Sequence, residues 1–392
     1  MTAALEGRRY FEQLGHLVDS RWTAAGRRAG DLPAIAGAAL DELPVPDTLD
    51  VFAVLDLLAR DDGLPKQRKV SDQFGQPPTV MFSSAGLEVH ALTWIDGTTS
   101  IHQHGFDGAF RVLQGSSLHA EYTFDQSDQL ADGHLIVGDL AMRRSEVLTK
   151  GAVRRIPGGP GFIHSLFHLE RPSVTIVVRN GWSDLPFPQY DYRHPGLGID
   201  ILEKDERLGM RLRGLRAMEH LGQGAGLRVA LDIVGTENLW TAFRVTEFWF
   251  RAISDTTGLD ELAEVLARRD ATLADYVDPM FGEQRRQMRL LRRRGLLEEQ
   301  RHRLLLAVLV NLPDADSVSA AMAALFPGRV PSEVTNEIVE ELSSAQYRGL
   351  SGMHLTAENR EAVRTALRQD RFGDALSMLG DQWHPSSLSD LA

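Results

Sequence analysis

Between about Val70 and Arg179 the chain is cut into short pieces: TVMFSS, LEVHALTWI, TSIHQH, AFRVLQGSSLHAEYTF, HLIVGDLAM, SEVLTK, AVRRI and SVTIVVRN. Gly, Pro, Asp or Ser separates them. Pieces this short and this rich in branched and aromatic side chains make strands, and turn residues at this spacing make the strands antiparallel. A sandwich or barrel is the consequence. On either side the period changes. Phe11, Leu14, Leu17 and Val18 keep helical spacing, and a second helix is expected after Asp47, capped by Asp47 or Thr48. Asn180–Asp200, rich in Pro, Gly and aromatics, is expected to wrap the barrel. Beyond it the segments read as helical, at Leu202–Leu221, Leu239–Ile253, Leu259–Arg268, Gln284–Arg294, Glu298–Leu312, Ser317–Phe326, Pro331–Leu342 and Ala357–Gln369. Leu239–Ile253 should bury a stripe holding Phe243, Trp249 and Phe250. The expected architecture is α+β: a helical segment over 1–61, a barrel over 62–190 and an all-helical domain over 191–392.

Composition removes several classes of function. The 392 residues include no cysteine, so disulfides, thiolate ligands and cysteine nucleophiles are absent, and any metal must be held by His, Asp or Glu. A net charge of -12 argues against nucleic acid as the main partner. The arginine-rich Arg285–Gly295 reads as the solvated face of a packed helix, because Met288, Leu290 and Leu291 fall between its charges. Mean hydropathy is -0.20. Leu304–Leu312, bounded by Arg303 and Pro313, is too short to span a bilayer. Glu6 and the charges around it interrupt any apolar leader, so a cytoplasmic protein is expected.

His102 and His104 stand two residues apart in a strand-like segment, so their side chains share one face with Ser100. About sixty residues later Gly151–His164, GAVRRIPGGPGFIH, brings a third histidine behind a Pro-Gly turn. A small barrel with this order of histidines resembles the architecture of a cupin, which implies that His102, His104 and His164 would converge. Burying three imidazoles without partners costs on the order of a few kcal/mol each. A cation converts that cost into ligation, and first-row metals favour such donors. The alternative is three satisfied interior histidines and no metal. His90 and His119 fall on neighbouring strands as outer partners, and His168 is either a fourth ligand or a rim residue.

TSIHQH, a short linker and AFRVLQGSSLHAEYTF resemble the corresponding region of the cysteine dioxygenase-like thiol dioxygenases, over about a third of the chain. The resemblance implies a mononuclear Fe(II) centre held by His102, His104 and His164. The common cupin motif places a glutamate ligand where this chain has Gly108, so a fourth, anionic ligand is not expected. The Ser-His-Tyr relay of the family would fall near Thr175, Val177 and Arg179 and is missing, and its carboxylate-binding arginine would fall near Gln76. Cysteine is therefore not the expected substrate.

Three neutral ligands leave Fe(II) with its full charge, which favours an anionic chelating substrate and leaves positions for it and for O2. The expected function is a non-heme Fe(II), O2-dependent oxygenase acting on a small or medium organic substrate. Arg179 is the candidate anchor for its anionic group, with Arg68 and Arg155 as lesser candidates. Trp94, Phe110 and Tyr122 are candidate wall residues, Tyr122 being also a candidate catalytic group. The helical domain is expected to cover the barrel mouth or to form a homodimer. The rival reading is a non-catalytic metal- or ligand-binding barrel with a helical interaction domain.

Overall fold

The computed structural model describes residues 3–67, 75–181, 185–202, 205–222, 224–253, 256–292, 294–312, 315–342, 357–369, 374–375 and 378. Arg68 lies outside them. Three helices open the chain: α1 (Ala3–Ala24), α2 (Leu32–Glu42) and α3 (Val51–Arg60). One more helix is present than the spacing suggested, because Leu32–Glu42 is built of small residues whose apolar stripe is faint. The cap expected at Asp47 or Thr48 is instead Asp50, whose carboxylate accepts from the amide of Ala53 at 2.8 Å.

Eleven described strands follow. They are β1 (Pro78–Ser84), β2 (Leu87–Trp94), β3 (Ile101–His104), β4 (Gly108–Gln114), β5 (Ser117–Leu130), β6 (Leu135–Leu148), β7 (Val153–Ile156), β8 (Gly159–His168), β9 (Ser173–Asn180), β10 (Tyr190–Arg193) and β11 (Leu197–Asp200). The last two stand where the expected helical domain begins. Helices resume with α4 (Glu206–Leu221), α5 (Ala225–Thr236), α6 (Leu239–Ala252), α7 (Thr256–Ala267), α8 (Ala271–Leu291) and α9 (Gln300–Asn311). The expected α+β class, with strands between helical flanks, is what the chain adopts.

Cα packing divides the chain into two compact units, and neither is continuous in sequence. One takes Met1–Tyr122, Met142–Pro188 and Met288–Ala392, the other Thr123–Ala141 and Gln189–Gln287.

In the first unit a sheet in the order β1-β2-β9-β4-β7 faces a second set running β3-β8-β5-β6. β9 shows why the sequence folds this way. All eight of its residues are buried. Val174, Ile176 and Val178 pack outward against Phe11, Leu14 and Val18 of α1. Val177 points inward among Phe106, Phe110, Phe162 and Leu166. A strand covered on both faces reads as a continuous apolar run. The opposite wall is covered likewise, with Leu118, Phe167 and Leu169 packed against Leu304–Leu309 of α9. The barrel interior thus lies between two layers that are each backed by helices.

The second unit contains the distal parts of β5 and β6, to which β11 and then β10 are added. Its core joins Leu135, Val137, Leu197 and Ile199 to Phe243, Trp249 and Phe281, so two residues of the stripe expected on Leu239–Ile253 are buried and the third, Phe250, is partly so.

Candidate metal centre

β3 pairs with β8 so that His102 stands directly opposite His164. One step along β3, from Gln103 to His104, the partner on β8 jumps from Ile163 to Gly159. Pro160, Gly161 and Phe162 therefore bulge out of the ladder. The Pro-Gly segment read as a turn before the third histidine is this bulge, which re-aims the side chains beside it. His102 and His104 share the inward face, with ring centroids 4.7 Å apart. His164 lies 4.7 Å from the first ring and 5.0 Å from the second. One ligating nitrogen from each of the three falls within 4.8 Å of the others.

The surroundings make two of these rings neutral. Burial, then the neighbouring His102 and Arg179, push the His104 imidazole well below its usual range. Burial followed by His102, His104 and His119 does the same to His164. Nε2 of His104 and Nε2 of His164 are 2.9 Å apart. Two buried, neutral ring nitrogens at that distance must share either a proton or a cation. With metal–nitrogen bonds of about 2.1 Å, two ligands at a right angle stand about 3 Å apart. His102 turns Nδ1 to the carbonyl of Ser100 at 2.9 Å, which leaves its Nε2 as the lone-pair nitrogen. The donor set therefore fits a divalent first-row cation.

Gly108 gives a steric reason for the absence of a carboxylate ligand. A Cβ built there would fall 2.0 Å from the carbonyl oxygen of Val178, so β4 and β9 approach too closely for any side chain.

The other expected residues separate into two groups. Phe110 lines the interior, its ring 6.1 Å from that of His164. Arg179 is on the inward face of β9, buried beside Phe106 with its guanidinium 3.9 Å from the ring centroid, and its register partner on β2 is Glu88. Tyr122 does not reach the site. It belongs to the face of β5 that carries Leu118, opposite to His119, and its hydroxyl donates to the carbonyl of Asn311 on α9 at 3.2 Å. Burial pushes its phenol up to about 12. Arg155 faces outward and packs over Gly37 of α2. His168 is held by the hydroxyls of Ser117 and Ser173, each 2.9 Å away, and stacks on Trp94 at 4.8 Å. Burial, then Arg294 and Arg303, lowers its value to about 3. Gln76 accepts from the amide of Asp96 at 3.1 Å. His90 joins Glu88 at 2.8 Å.

His119 stands immediately behind His164, its Nε2 3.0 Å from Nδ1 of that ring, and its own Nδ1 is 3.1 Å from Oε1 of Glu146. Glu146 in turn accepts from Arg154. Neither Glu146 nor Arg154 is conspicuous in the sequence. The signal that could have found them is the hairpin of β5 and β6, whose facing strands carry His119 and Glu121 on one side and Arg144 and Glu146 on the other.

No protein family model matches the chain, and neither does any curated protein. Solved structures similar to part of it include proteins with a cupin domain. A cupin-2 domain containing protein from Shewanella frigidimarina is 15% identical with a TM-score of 0.19, covering 27% of this chain and 82% of that one. KdgF from Halomonas sp. is 15% identical with a TM-score of 0.19, covering 26% and 77%. Hydroquinone 1,2-dioxygenase from Sphingomonas sp. TTNP3, with 4-hydroxybenzoate bound, is 13% identical with a TM-score of 0.23, covering 29% and 68%. These likenesses extend over less than a third of the chain, so the chemistry is argued from its own side chains.

Proposed function

We propose that the barrel is a non-heme Fe(II), O2-dependent oxygenase acting on a small or medium organic substrate that carries an anionic chelating group. The supporting observation is the convergence of three imidazoles, His102, His104 and His164, in an interior where Gly108 excludes a carboxylate ligand. Bound there, Fe(II) would supply a positively charged, redox-active centre suited to an anionic chelator and to O2. The chain's own part is to hold three ring nitrogens toward one point, to keep His104 and His164 unprotonated by burial, and to exclude water with Phe106, Phe110 and Phe162. Arg179, inward on β9 beside His104, is proposed to meet the far end of the substrate. Glu88 opposite it balances the charge before substrate arrives.

O2 consumption by the Fe(II)-loaded protein, measured against a panel of catechols, 2-hydroxybenzoates and thiols, tests the reading. Uptake with one member of the panel that is lost in His102→Ala supports it. Tight iron binding with no uptake for any member favours a non-catalytic binding barrel. Cysteine turnover is expected to be negligible; sulfinate formation on the order of one turnover per second would contradict that exclusion.

A further inference from the structure

Each imidazole behind the triad has two nitrogens, and hydrogen-bond direction decides which one carries the proton. A carboxylate accepts and does not donate, and hydrogen bonds from His119 and Arg154 hold Glu146 ionised, well below the usual carboxylate range. A proton of His119 therefore sits on Nδ1, facing Oε1 at 3.1 Å. Its Nε2 faces Nδ1 of His164 at 3.0 Å, so one of these two nitrogens donates and the other accepts. A His164 that ligates a cation through Nε2 carries its proton on Nδ1 and donates it to His119. Nε2 of His164, 2.9 Å from Nε2 of His104, is left bare and aimed at the centre of the triad.

We infer that His119 and Glu146 are positioning residues that fix the tautomer of His164 and pass to it the negative charge that a three-imidazole shell lacks. The inference rests on the metal reading of the triad. A carboxylate hydrogen-bonded to a ligating histidine raises the basicity of the ligand and fixes its ring, and loss of such a partner costs about 10–100-fold in metal affinity. Here the charge is relayed through a second imidazole, because Gly108 closes the position beside the metal and the nearest route runs across the β5–β6 hairpin. His119 is wholly buried, so His164 has no water to replace it as acceptor.

His119, Glu121 and Glu146 also bring ligating atoms within 4.8 Å of one another, which raises a second metal as the rival account. Both carboxylates are already paired there, Glu121 with Arg144 and Glu146 with Arg154, and both nitrogens of His119 are engaged. The relay uses the contacts of His119 and Glu146 and leaves the Glu121–Arg144 pair intact, whereas a second cation would have to displace all of them.

Co(II) titration of the full chain against a competing chelator, beside 15N spectra of the imidazoles in the metal-free protein, tests the relay. The wild type should bind one Co(II) and show His164 protonated at Nδ1. His119→Phe should bind about 10–100-fold more weakly. His119→Gln should recover part of that loss, because its amide oxygen accepts from Nδ1 of His164. Glu146→Gln keeps an acceptor but removes the charge, so it should lose less affinity than Glu146→Met and should raise the Fe(III)/Fe(II) potential of the iron form. Unchanged affinity in folded His119→Phe and Glu146→Met, with binding still lost in His102→Ala, would overturn the relay and leave the metal site standing. Two ions per wild-type chain, one of them lost in Glu146→Met, would replace the relay by a second site. Absence of binding by the wild type removes the metal reading and the relay with it. Should His119→Phe fail to fold, the Gln variants and the potential carry the decision.

Discussion

Arg179 is the residue whose role is most sharply divided between two accounts. Its guanidinium is buried near His104, and Glu88 stands across the strand pair from it. As a substrate anchor it should weaken binding of a 2-hydroxybenzoate or catecholate probe when replaced, Arg179→Met more than Arg179→Lys, since Lys keeps charge but loses the planar fork. Calorimetry on the Fe(II)-loaded protein without air checks this. A fall in melting temperature with unchanged probe affinity would make it a structural partner of Glu88. Gly108 yields a simpler expectation. Gly108→Ala places a methyl against the Val178 carbonyl and should cost about 1–3 kcal/mol or more of stability by denaturant titration. Acid behaviour follows from the same interior. His104 and His164 have folded values lowered by burial, so below the unfolded value of about 6.5 the unfolded chain binds more protons than the folded one. The metal-free protein should therefore have its full stability above that pH and lose it as pH falls. Glu146, also lowered when folded, by His119 and then Arg154, adds a second loss below the ordinary carboxylate range near about 4.3. A melting temperature that rises between pH 7 and pH 5 would contradict this.

At the scale of elements, α9 is fastened to the barrel wall by one buried arginine. Arg303 donates to the carbonyls of Leu169 and His168 at 2.9 and 2.8 Å and to the Asp96 carboxylate at 2.8 Å. Arg303→Met should lose about 1–3 kcal/mol, because it leaves the buried carbonyls of Leu169 and His168 without their donor while Asp96 keeps Arg294. The histidine pair was legible in the sequence because strand alternation is local: two residues apart means one face. The same rule, applied along β5 from His119, already separates Tyr122 from the interior, and that application was the missing step. Glu146 was not legible. Its partner His119 is 27 residues away, and only the pairing of β5 with β6 brings them together. Asp50 as a cap was hidden by Asp47 and Thr48, equally good capping residues three and two positions earlier.

Across the whole chain, the compact units cut through the order expected from composition. Cα packing groups the segment after 191 in two parts: the later part, from Met288, with Met1–Tyr122 and Met142–Pro188, and the earlier part with Thr123–Ala141. The sequence could not show this, because helical periodicity says which face is apolar and not what covers it. Leu304, Leu305 and Val308 close over Leu118 and Phe167, so a chain ended after Gln287 should expose that wall and fail to give a soluble, cooperatively melting barrel. A soluble truncation with an intact melting transition would show that the wall needs no helical cover. No helix among the described residues is long and apolar enough to cross a membrane.

The convergence of His102, His104 and His164 on one cation is tested most directly by the metal content of protein purified without added metal or reconstituted with Fe(II) in the absence of air. About one iron per chain is expected for a single three-histidine site, with tight binding abolished in His102→Ala and in His164→Ala while the helical region keeps its circular dichroism. Metal content unchanged in both variants would contradict the account.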